Sequence, residues 1–395
     1  MIKEFDFSKE YGIVLEGGGA KGAYQIGVWK AFLECGVKIK GVSGVSVGAL
    51  NGALICMGDY EEAETLWKSL TYSNIMNLDD EQMKHLMNLD IKNLDLKMLS
   101  RDTGKIISGR GIDITPLKEL IQNWVDEEKI YNSPVEFVFG TFLVSKLKEI
   151  EITAREAEKA SLKDYLLASA LLPAFRNDKL NGQTFLDGGM FNNVPVDMLI
   201  NRGYKDIIVV RIYGIGLEKP VKIPKDVNVI QIAPNINLGG ILEFNSEKIQ
   251  RNIEVGYYDA MRCLHNLSGR IYYIDSDLEE GESLLKLMKL NEAAKMALLE
   301  YYKLDYSNTD LIVRRFLEQA CPNLATTLKL KRDWNYTELY ISLLELCAKS
   351  VRVPKYKIYT VEELKRNCFE KYQKMRQRNY KLPIFHELVV KMMTI

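Results

Sequence analysis

A serine between two glycines is the residue in this sequence whose setting is best suited to covalent catalysis. Ser46 lies in Gly44-Val45-Ser46-Val47-Gly48, a G-x-S-x-G pattern that follows an apolar run and opens a helical pattern. That context is typical of a nucleophile elbow, a sharp strand-to-helix turn that exposes a serine hydroxyl, and glycines at 44 and 48 leave room for it. A serine hydroxyl also needs a base and hydrogen-bond donors for the oxyanion of a tetrahedral intermediate. The chemistry that this pattern indicates is acyl transfer.

The glycine-rich stretch at residues 16–22, EGGGAKG, allows a different interpretation. Gly17, Gly19 and Gly22 form a G-x-G-x-x-G pattern, which is typical of dinucleotide-binding folds in which an acidic residue ends the next strand. The next apolar run, 37–42, has no carboxylate at its end. A nucleotide-binding module remains an alternative, but it leaves the serine motif unexplained.

The same loop can serve acyl transfer. Successive backbone amides next to the start of a helix form a concavity that binds anions, including a tetrahedral oxyanion. We therefore expect the loop Gly17-Gly18-Gly19-Ala20-Lys21-Gly22 to bind such an oxyanion through its backbone amides. Lys21 would add a fixed positive charge nearby. A tight turn without any ligand would need the same glycines.

The candidate base is Asp187, in the stretch FLDGGMFNNVPV at 185–196. Gly188 and Gly189 follow it, so this carboxylate can approach other backbone closely and could lie against Ser46. An ordinary Asp-Gly turn would show the same pattern.

Alternating strand and helix patterns must position these groups. Strands are predicted near 12–16, 38–43, 135–144, 148–153, 206–212, 227–232 and 271–274. Helices are predicted at 22–35, 47–57, 60–70, 161–170, 195–202 and 246–265. This alternation indicates a mostly parallel sheet with helices on both faces. After about residue 281 the strand signals stop, and the stretches at 283–303, 335–349 and 360–375 are amphipathic helix patterns.

Length, composition and charge indicate where the protein works and which partners it could have. The chain has 395 residues, no run long enough for a spanning helix and no secretory signal pattern at its start, so we expect a cytoplasmic protein. Its six cysteines show no C-x-x-C, which predicts reduced thiols. Residues 281–395 hold 21 basic and 13 acidic side chains. Much of this excess lies at 352–381, which is either a solvated face or a patch for peripheral contact with an anionic membrane. No motif indicates nucleic-acid binding.

The three motifs together resemble the patatin-like phospholipases. That family has D-G-G-G-x-[RK]-G, then G-x-S-x-G, then D-G-[GA], and this chain has the corresponding stretches at 16–22, 44–48 and 187–189. LLASALLPAF at 166–175 and NNVPV after the third motif are also similar to the family. Glu16 stands where the family usually has Asp.

The resemblance covers about residues 11–215 and implies a catalytic core with a three-layer α/β/α sandwich fold. We place the rest of the α/β domain at 216–280 and, from the amphipathic helix patterns, a helical extension at 281–395. The resemblance also implies hydrolysis of lipid acyl esters by a Ser46–Asp187 dyad, with the amides of Gly17, Gly18 and Gly19 as the oxyanion hole and without calcium, and we expect no metal or cofactor. The Met/Leu-rich segment 76–100 either lines or covers the acyl site or packs into the core. A Ser46–Asp187–His265 triad is the nearest rival, although neither His265 nor the other histidines, His85 and His386, lie in a catalytic motif.

Overall fold

The computed structural model divides the chain into two compact units, one formed by Phe5–Cys263 and the other mainly by Leu264–Ile395. It describes residues 4–78, 112–155, 157, 162–173, 175–176, 179–180 and 182–394. Most of the predicted 76–100 segment, and His85 with it, lies outside the described residues. The described helices include none with the combination of length and apolar character needed to cross a bilayer.

A seven-stranded sheet forms the centre of the first unit. Its strands are β1 Glu10–Leu15, β2 Lys38–Val45, β3 Glu136–Leu143, β4 Lys148–Thr153, β5 Phe185–Asp187, β6 Asp206–Val210 and β7 Asn228–Ile232. The order is β4-β3-β2-β1-β6-β7, with β5 also paired to β3. All pairs from β3 to β7 along this order are parallel, whereas β4 and β5 are antiparallel to β3. The predicted mostly parallel sheet is confirmed.

Helices cover both faces of this sheet. Within the described residues of the first unit the helices are α1 Ala23–Glu34, α2 Val47–Met57, α3 Tyr60–Ser69, α4 Thr115–Trp124, α5 Glu127–Tyr131, α6 Leu162–Ser169, α7 Gly189–Asn192, α8 Val196–Ile200 and α9 Ser246–Leu264. The same ranges contain 3₁₀ turns at Gly19–Gly22, Tyr72–Asn74 and Val144–Lys146.

Two neighbouring residues of β2 show that the faces are covered by different helices. The hydroxyl of Ser43 donates to the carbonyl of Pro195, directly before α8. The side chain of Val42 packs against Gly52 of α2. Because successive residues of a strand point to opposite faces, α2 and α8 lie on opposite sides of the sheet. The predicted three-layer arrangement follows.

The second unit is a helical body with its own apolar core. Its helices are α10 Glu280–Met288, α11 Glu292–Tyr301, α12 Ile312–Arg315, α13 Cys321–Thr327, α14 Tyr336–Ser350, α15 Val361–Gln377 and α16 Ile384–Thr394. A 3₁₀ turn at Thr309–Leu311 and a π-helical turn at Phe316–Ala320 join some of them. The helical C-terminal region is thus confirmed.

Two details of the second unit differ from the sequence prediction. A short parallel pair joins β8 Tyr273–Asp275 to β9 Ile358–Thr360, so the region after residue 281 is not purely helical. The helix pattern at 283–303 is divided between α10 and α11, because Asn291 caps a new helix by accepting a hydrogen bond from the Ala294 amide.

Candidate active site

Ser46 occupies the sharp turn that joins β2 to α2. Its backbone has φ 54° and ψ −131°, a combination that is strained for a residue with a Cβ. The turn is closed tightly, since a Cβ on Gly48 would lie 2.2 Å from the carbonyl oxygen of Leu15. A Cβ on Gly44, near the end of β2, would likewise lie too close to the carbonyl of Gly48. Ser46 thus lies on a tight strand-to-helix turn and lines a cavity.

Strand pairing explains how Asp187 comes to lie beside Ser46. On one edge of β3, β2 pairs as far as Val45 with Gly140. The other edge is occupied by β4, so β5 continues along the first edge, pairing Asp187 with Thr141. The carboxyl ends of β2 and β5 consequently meet, and Ser46 and Asp187 both line the same cavity.

Asp187 has the environment of a general base. Burial raises the pKa of its carboxyl to about 6, while the hydroxyl of Ser46 and the amide of Gly189 act in the opposite direction by stabilising the charged form. Oδ1 accepts the Gly189 amide at 2.8 Å. Oδ2 is buried and makes no hydrogen bond of normal geometry with any described residue. That oxygen is available to a proton from the Ser46 hydroxyl, because such contacts often tighten only when substrate binds.

Ser169 connects the segments that carry both groups. Its hydroxyl accepts the Ser46 amide at 2.9 Å and donates to the Gly140 carbonyl at 2.6 Å. Its own carbonyl accepts the amide of Gly188 at 3.3 Å. One fully buried serine at the end of α6 thus fixes the elbow, β3 and the Asp-Gly-Gly segment relative to one another.

The glycine loop presents two amides to the cavity. Gly18 and Gly19 line it, and no described residue accepts a hydrogen bond from either amide. Gly19 has φ +56°, and a Cβ there would lie 2.0 Å from the Ile241 carbonyl oxygen, so only glycine fits. The amide of Gly17 instead donates to the Asn193 carbonyl at 3.3 Å. Two of the three expected oxyanion donors are therefore free to bind a substrate oxygen.

The side chain of Lys21 and the carbonyl of Gly22 make hydrogen bonds that hold the glycine loop in place. Nζ of Lys21 donates to the Tyr213 carbonyl at 2.5 Å, and Lys21 is not among the described residues that line the cavity. The carbonyl of Gly22 accepts Nδ2 of Asn51, which also binds Gln25 and, through its own oxygen, the indole of Trp67. These two residues position the loop and do not contact the space beside Ser46.

Glu16 is the anchor of the glycine loop. This buried carboxylate accepts the backbone amides of Ile212, Tyr213 and Gly214 at 2.6, 3.0 and 3.2 Å, and forms an ion pair with Nε of Arg211 at 3.0 Å. The end of β1 is thereby joined to the segment after β6. Glu16, where the resembled family usually has Asp, reaches all of these donors.

The cavity has few polar lining residues and is otherwise apolar. Apart from Gly18 and Gly19, its polar lining residues in the described ranges are Ser46, Asn51, Asp187 and Asn193. Leu, Ile, Val, Trp and Phe side chains of α2, α3 and α4 and of the stretch 241–244 line the rest. Such a cavity suits a ligand with one reactive polar group and an apolar tail.

Comparison with known proteins agrees with this site. A family model described as patatin-like phospholipase matches residues 13–200, which contain the glycine loop, the elbow and Asp187. These residues belong to the patatin-like phospholipase family. The patatin-like domain thus includes the whole candidate site.

Curated relatives match this domain over about half of the chain. Neuropathy target esterase sws of Drosophila melanogaster is 29% identical over 211 residues, and patatin-like phospholipase domain-containing protein 7 of Mus musculus is 27% identical over 204 residues. The matches span 12% and 13% of the length of these relatives and 50% of this chain.

Two solved structures are also similar. VipD from Legionella pneumophila has 16% identity and a TM-score of 0.38, with 97% of this chain and 90% of that chain covered. The type III effector ExoU has 14% identity and a TM-score of 0.30, with 98% and 77% covered.

The candidate site of the patatin-like domain has no histidine among its described lining residues. His265 lies in the other unit and is exposed. Nδ1 of His386 is bonded to the Ser350 hydroxyl at 2.8 Å. Within the described part of the chain, no group of three or more His, Cys, Asp or Glu side chains is arranged to hold a metal ion. All six cysteines are free thiols, and four are buried.

Sequence reasoning missed the supporting residues of this patatin-like site. Ser169 and Asn193 each lie in a stretch already noted for its similarity to the family, LLASALLPAF and NNVPV, but nothing local marks their roles. Asn193 donates to both Glu16 and the Gly17 carbonyl. These bonds join residues far apart in sequence, so only the fold shows them.

Proposed function

We propose that this protein hydrolyses carboxylic esters of lipids, as a phospholipase A or related esterase, through an acyl-enzyme on Ser46. The observation that supports this most directly is the convergence of three features at one end of an apolar cavity. These are a serine on a strained turn, a buried carboxylate with raised pKa and two unpaired amides. The apolar remainder of the cavity fits an acyl chain.

In the first half-reaction, Asp187 accepts the proton of the Ser46 hydroxyl as its oxygen attacks the ester carbonyl carbon. The amides of Gly18 and Gly19 stabilise the negative oxygen of the tetrahedral intermediate. When the intermediate collapses, Asp187 returns the proton to the leaving alcohol, and the acyl group stays on Ser46. Water then repeats the sequence, with Asp187 as base, and releases the fatty acid.

A carboxylate is a sufficient base for this reaction. An unperturbed Asp, with a pKa near 3.9, would be mostly unable to hold a serine proton, whereas burial brings Asp187 nearer to the working pH. An ester also has a better leaving group than an amide and needs less help at collapse. Ester cleavage is therefore favoured over peptide cleavage.

The test is a panel of phospholipid, lysophospholipid, neutral lipid and aryl-ester substrates, run on the wild type and on three variants. Ser46→Ala and Asp187→Asn should each lower kcat by 10³-fold or more, on the order of the losses seen when nucleophile or base is removed from other serine hydrolases. His265→Ala should keep activity within about 3-fold. Loss of activity in His265→Ala would replace the dyad by a triad, and full activity in Ser46→Ala would reject the mechanism.

A further inference from the structure

The helical unit has a second cleft, whose rim is basic. Four cationic side chains line it: Lys286 and Lys289 at the end of α10, and Lys365 and Arg366 on α15. These residues are far apart in sequence, and packing of α10 and α15 against α14 brings them to one opening. The sequence prediction of a basic region at 352–381 included only two of them.

The positive charge at this cleft is mostly uncompensated. The acidic residue among its described lining residues is Glu362, which pairs with Lys286 at 3.2 Å. Lys289, Lys365 and Arg366 form no ion pair with any described residue. The side chain of Lys295 is buried and donates a hydrogen bond to the carbonyl of Met288, the residue that precedes Lys289. Three cations without an ion-pair partner among the described residues therefore line the opening.

Two other cations of the basic region have protein partners. Arg352 donates to the Tyr380 hydroxyl at 2.8 Å and stacks on the same ring. Lys357 pairs with Glu363 at 2.5 Å. The cleft therefore differs from these two positions in having cations without an ion-pair partner beside apolar lining residues.

The floor of the cleft is apolar. Leu290, Tyr340, Met392 and Met393 line it, and the last three are almost fully buried. Phe369 stands at the rim with 44% of its surface exposed, one helical turn from Lys365 and Arg366. An exposed aromatic ring beside unpaired cations is an arrangement suited to the interface between lipid headgroups and acyl chains.

From this geometry we infer that the cleft binds the phosphate headgroup of an anionic phospholipid at a membrane surface. Lys289, Lys365 and Arg366 would contact the phosphate, and Phe369 would enter the interface beside it. A nucleic-acid backbone would need cations spaced along an extended track, and this site offers one opening with an apolar floor. The inference goes beyond ester hydrolysis and does not depend on Ser46 or Asp187.

The test compares two double variants of the full chain that change net charge equally. Lys365→Gln with Arg366→Gln removes cleft cations. Lys371→Gln with Lys374→Gln removes exposed cations of the same helix that do not line the cleft. Binding is measured by co-sedimentation with vesicles of phosphatidylcholine alone or of phosphatidylcholine mixed with the anionic lipid phosphatidylserine. Circular dichroism melting checks that the variants fold.

We expect the wild type to bind only the phosphatidylserine vesicles. The cleft variant should bind them about 30-fold more weakly than the wild type, because each basic residue near such a surface contributes about a 5-fold factor to binding. The affinity of the control variant should stay within about 5-fold of the wild-type affinity. Aryl-ester hydrolysis should be unchanged in both variants. Equal losses in the two variants, or no vesicle binding by the wild type, would overturn the inference. Saturable binding of inorganic phosphate that only the cleft variant loses would also overturn it, by assigning the cleft to a soluble anion.

Discussion

At Asp187, the burial that raises the carboxyl pKa also sets the pH range in which the proposed dyad works. The base must be ionised to accept the Ser46 proton, and its pKa in the free protein is about 6. We predict that kcat/KM for a soluble aryl ester rises with pH through about 6 and is level above about 7. A pH–rate profile measures this directly. A profile that rises only above pH 8, or falls with pH, would exclude Asp187 as the base.

The same shift predicts an effect on stability. Because the folded pKa lies above the unfolded value near 3.9, the native state retains a proton that the unfolded state has released. That contribution is complete below about pH 4 and is lost as pH rises through about 6. Asp187→Asn removes the buried charge and keeps an acceptor for the Gly189 amide. At pH 8 the free energy of unfolding of this variant should be about 3 kcal/mol larger than that of the wild type. At pH 4 the two proteins should have the same free energy of unfolding.

Urea unfolding of both proteins at the two pH values would check this prediction. Lower stability of Asp187→Asn at pH 8 would show that the ionised carboxylate has stabilising partners beyond the Gly189 amide and the Ser46 hydroxyl.

Substitution of Ser169 tests whether this residue positions the elbow that carries Ser46 or only packs in the core. Ser169→Ala leaves the buried Ser46 amide without its acceptor, which costs about 1–3 kcal/mol of stability. Because this amide belongs to the elbow, the cost destabilises the backbone that carries Ser46. We expect kcat to fall about 10- to 100-fold with little change in KM. Ser43→Ala is the matched control, because Ser43 is equally buried and bonds a carbonyl, but not the elbow. Similar kcat values for the two variants would show that Ser169 has only a structural role.

The sequence marks Ser46 and Asp187 as candidates for the reactive residues, whereas it does not mark the residues that support them. Ser46 and Asp187 are flanked by glycines that leave a local pattern. The acceptor of the Ser46 amide lies more than a hundred residues away, and any serine in a helix pattern would look the same. Likewise, the sequence did not distinguish the engaged amide of Gly17 from the free amides of Gly18 and Gly19, because the partner of Gly17 is Asn193.

Among the elements, the start of the segment after β6 is anchored by Glu16 through three backbone amides. Glu16→Ala would leave these amides without their acceptor and would remove one partner of the partly buried guanidinium of Arg211. Breaking a buried pair in this way costs about 3–5 kcal/mol. Urea unfolding should show a loss of this size, with loss of aryl-ester hydrolysis because the glycine loop is displaced.

Glu218→Ala is the control for the Glu16 variant. It removes the other carboxylate that contacts Arg211, but Glu218 has 57% of its side chain exposed. Its loss should cost at most about 1 kcal/mol, because exposed ion pairs contribute little. Equal effects of the two variants would contradict the anchoring role of Glu16.

Most strands were predictable, including the three-residue β8, which overlaps the continuous apolar run at 271–274, whereas β5 and β9 were not. Strands β1 to β4 and β6 to β8 have apolar runs flanked by turn residues, and each was predicted close to its observed position. β5 and β9 have three residues each, too few to show a period, and they exist because a longer strand or a second short strand accepts their hydrogen bonds. The break between α10 and α11 depends on the cap at Asn291, a local signal that the apolar pattern concealed.

At the scale of the whole molecule, the division at Cys263 predicts two unfolding events. Each unit has its own buried apolar clusters. Calorimetry of the full chain should therefore resolve two transitions. A covalent fluorophosphonate on Ser46, whose apolar tail fills the cavity, should raise only the transition of the patatin-like unit. A single cooperative transition, shifted as a whole by the probe, would contradict independent units.

The central claim is that Ser46 forms the covalent bond to the acyl group, and mapping of the adduct tests it most directly. The protein is treated with a fluorophosphonate probe at pH 8, digested and analysed by peptide mass spectrometry, alongside the Asp187→Asn variant. We predict a single modified peptide, with the phosphonyl group on Ser46, and labelling at least 100-fold slower without the Asp187 carboxylate. An adduct on any other residue, or an unlabelled wild type that still hydrolyses esters, would contradict the account.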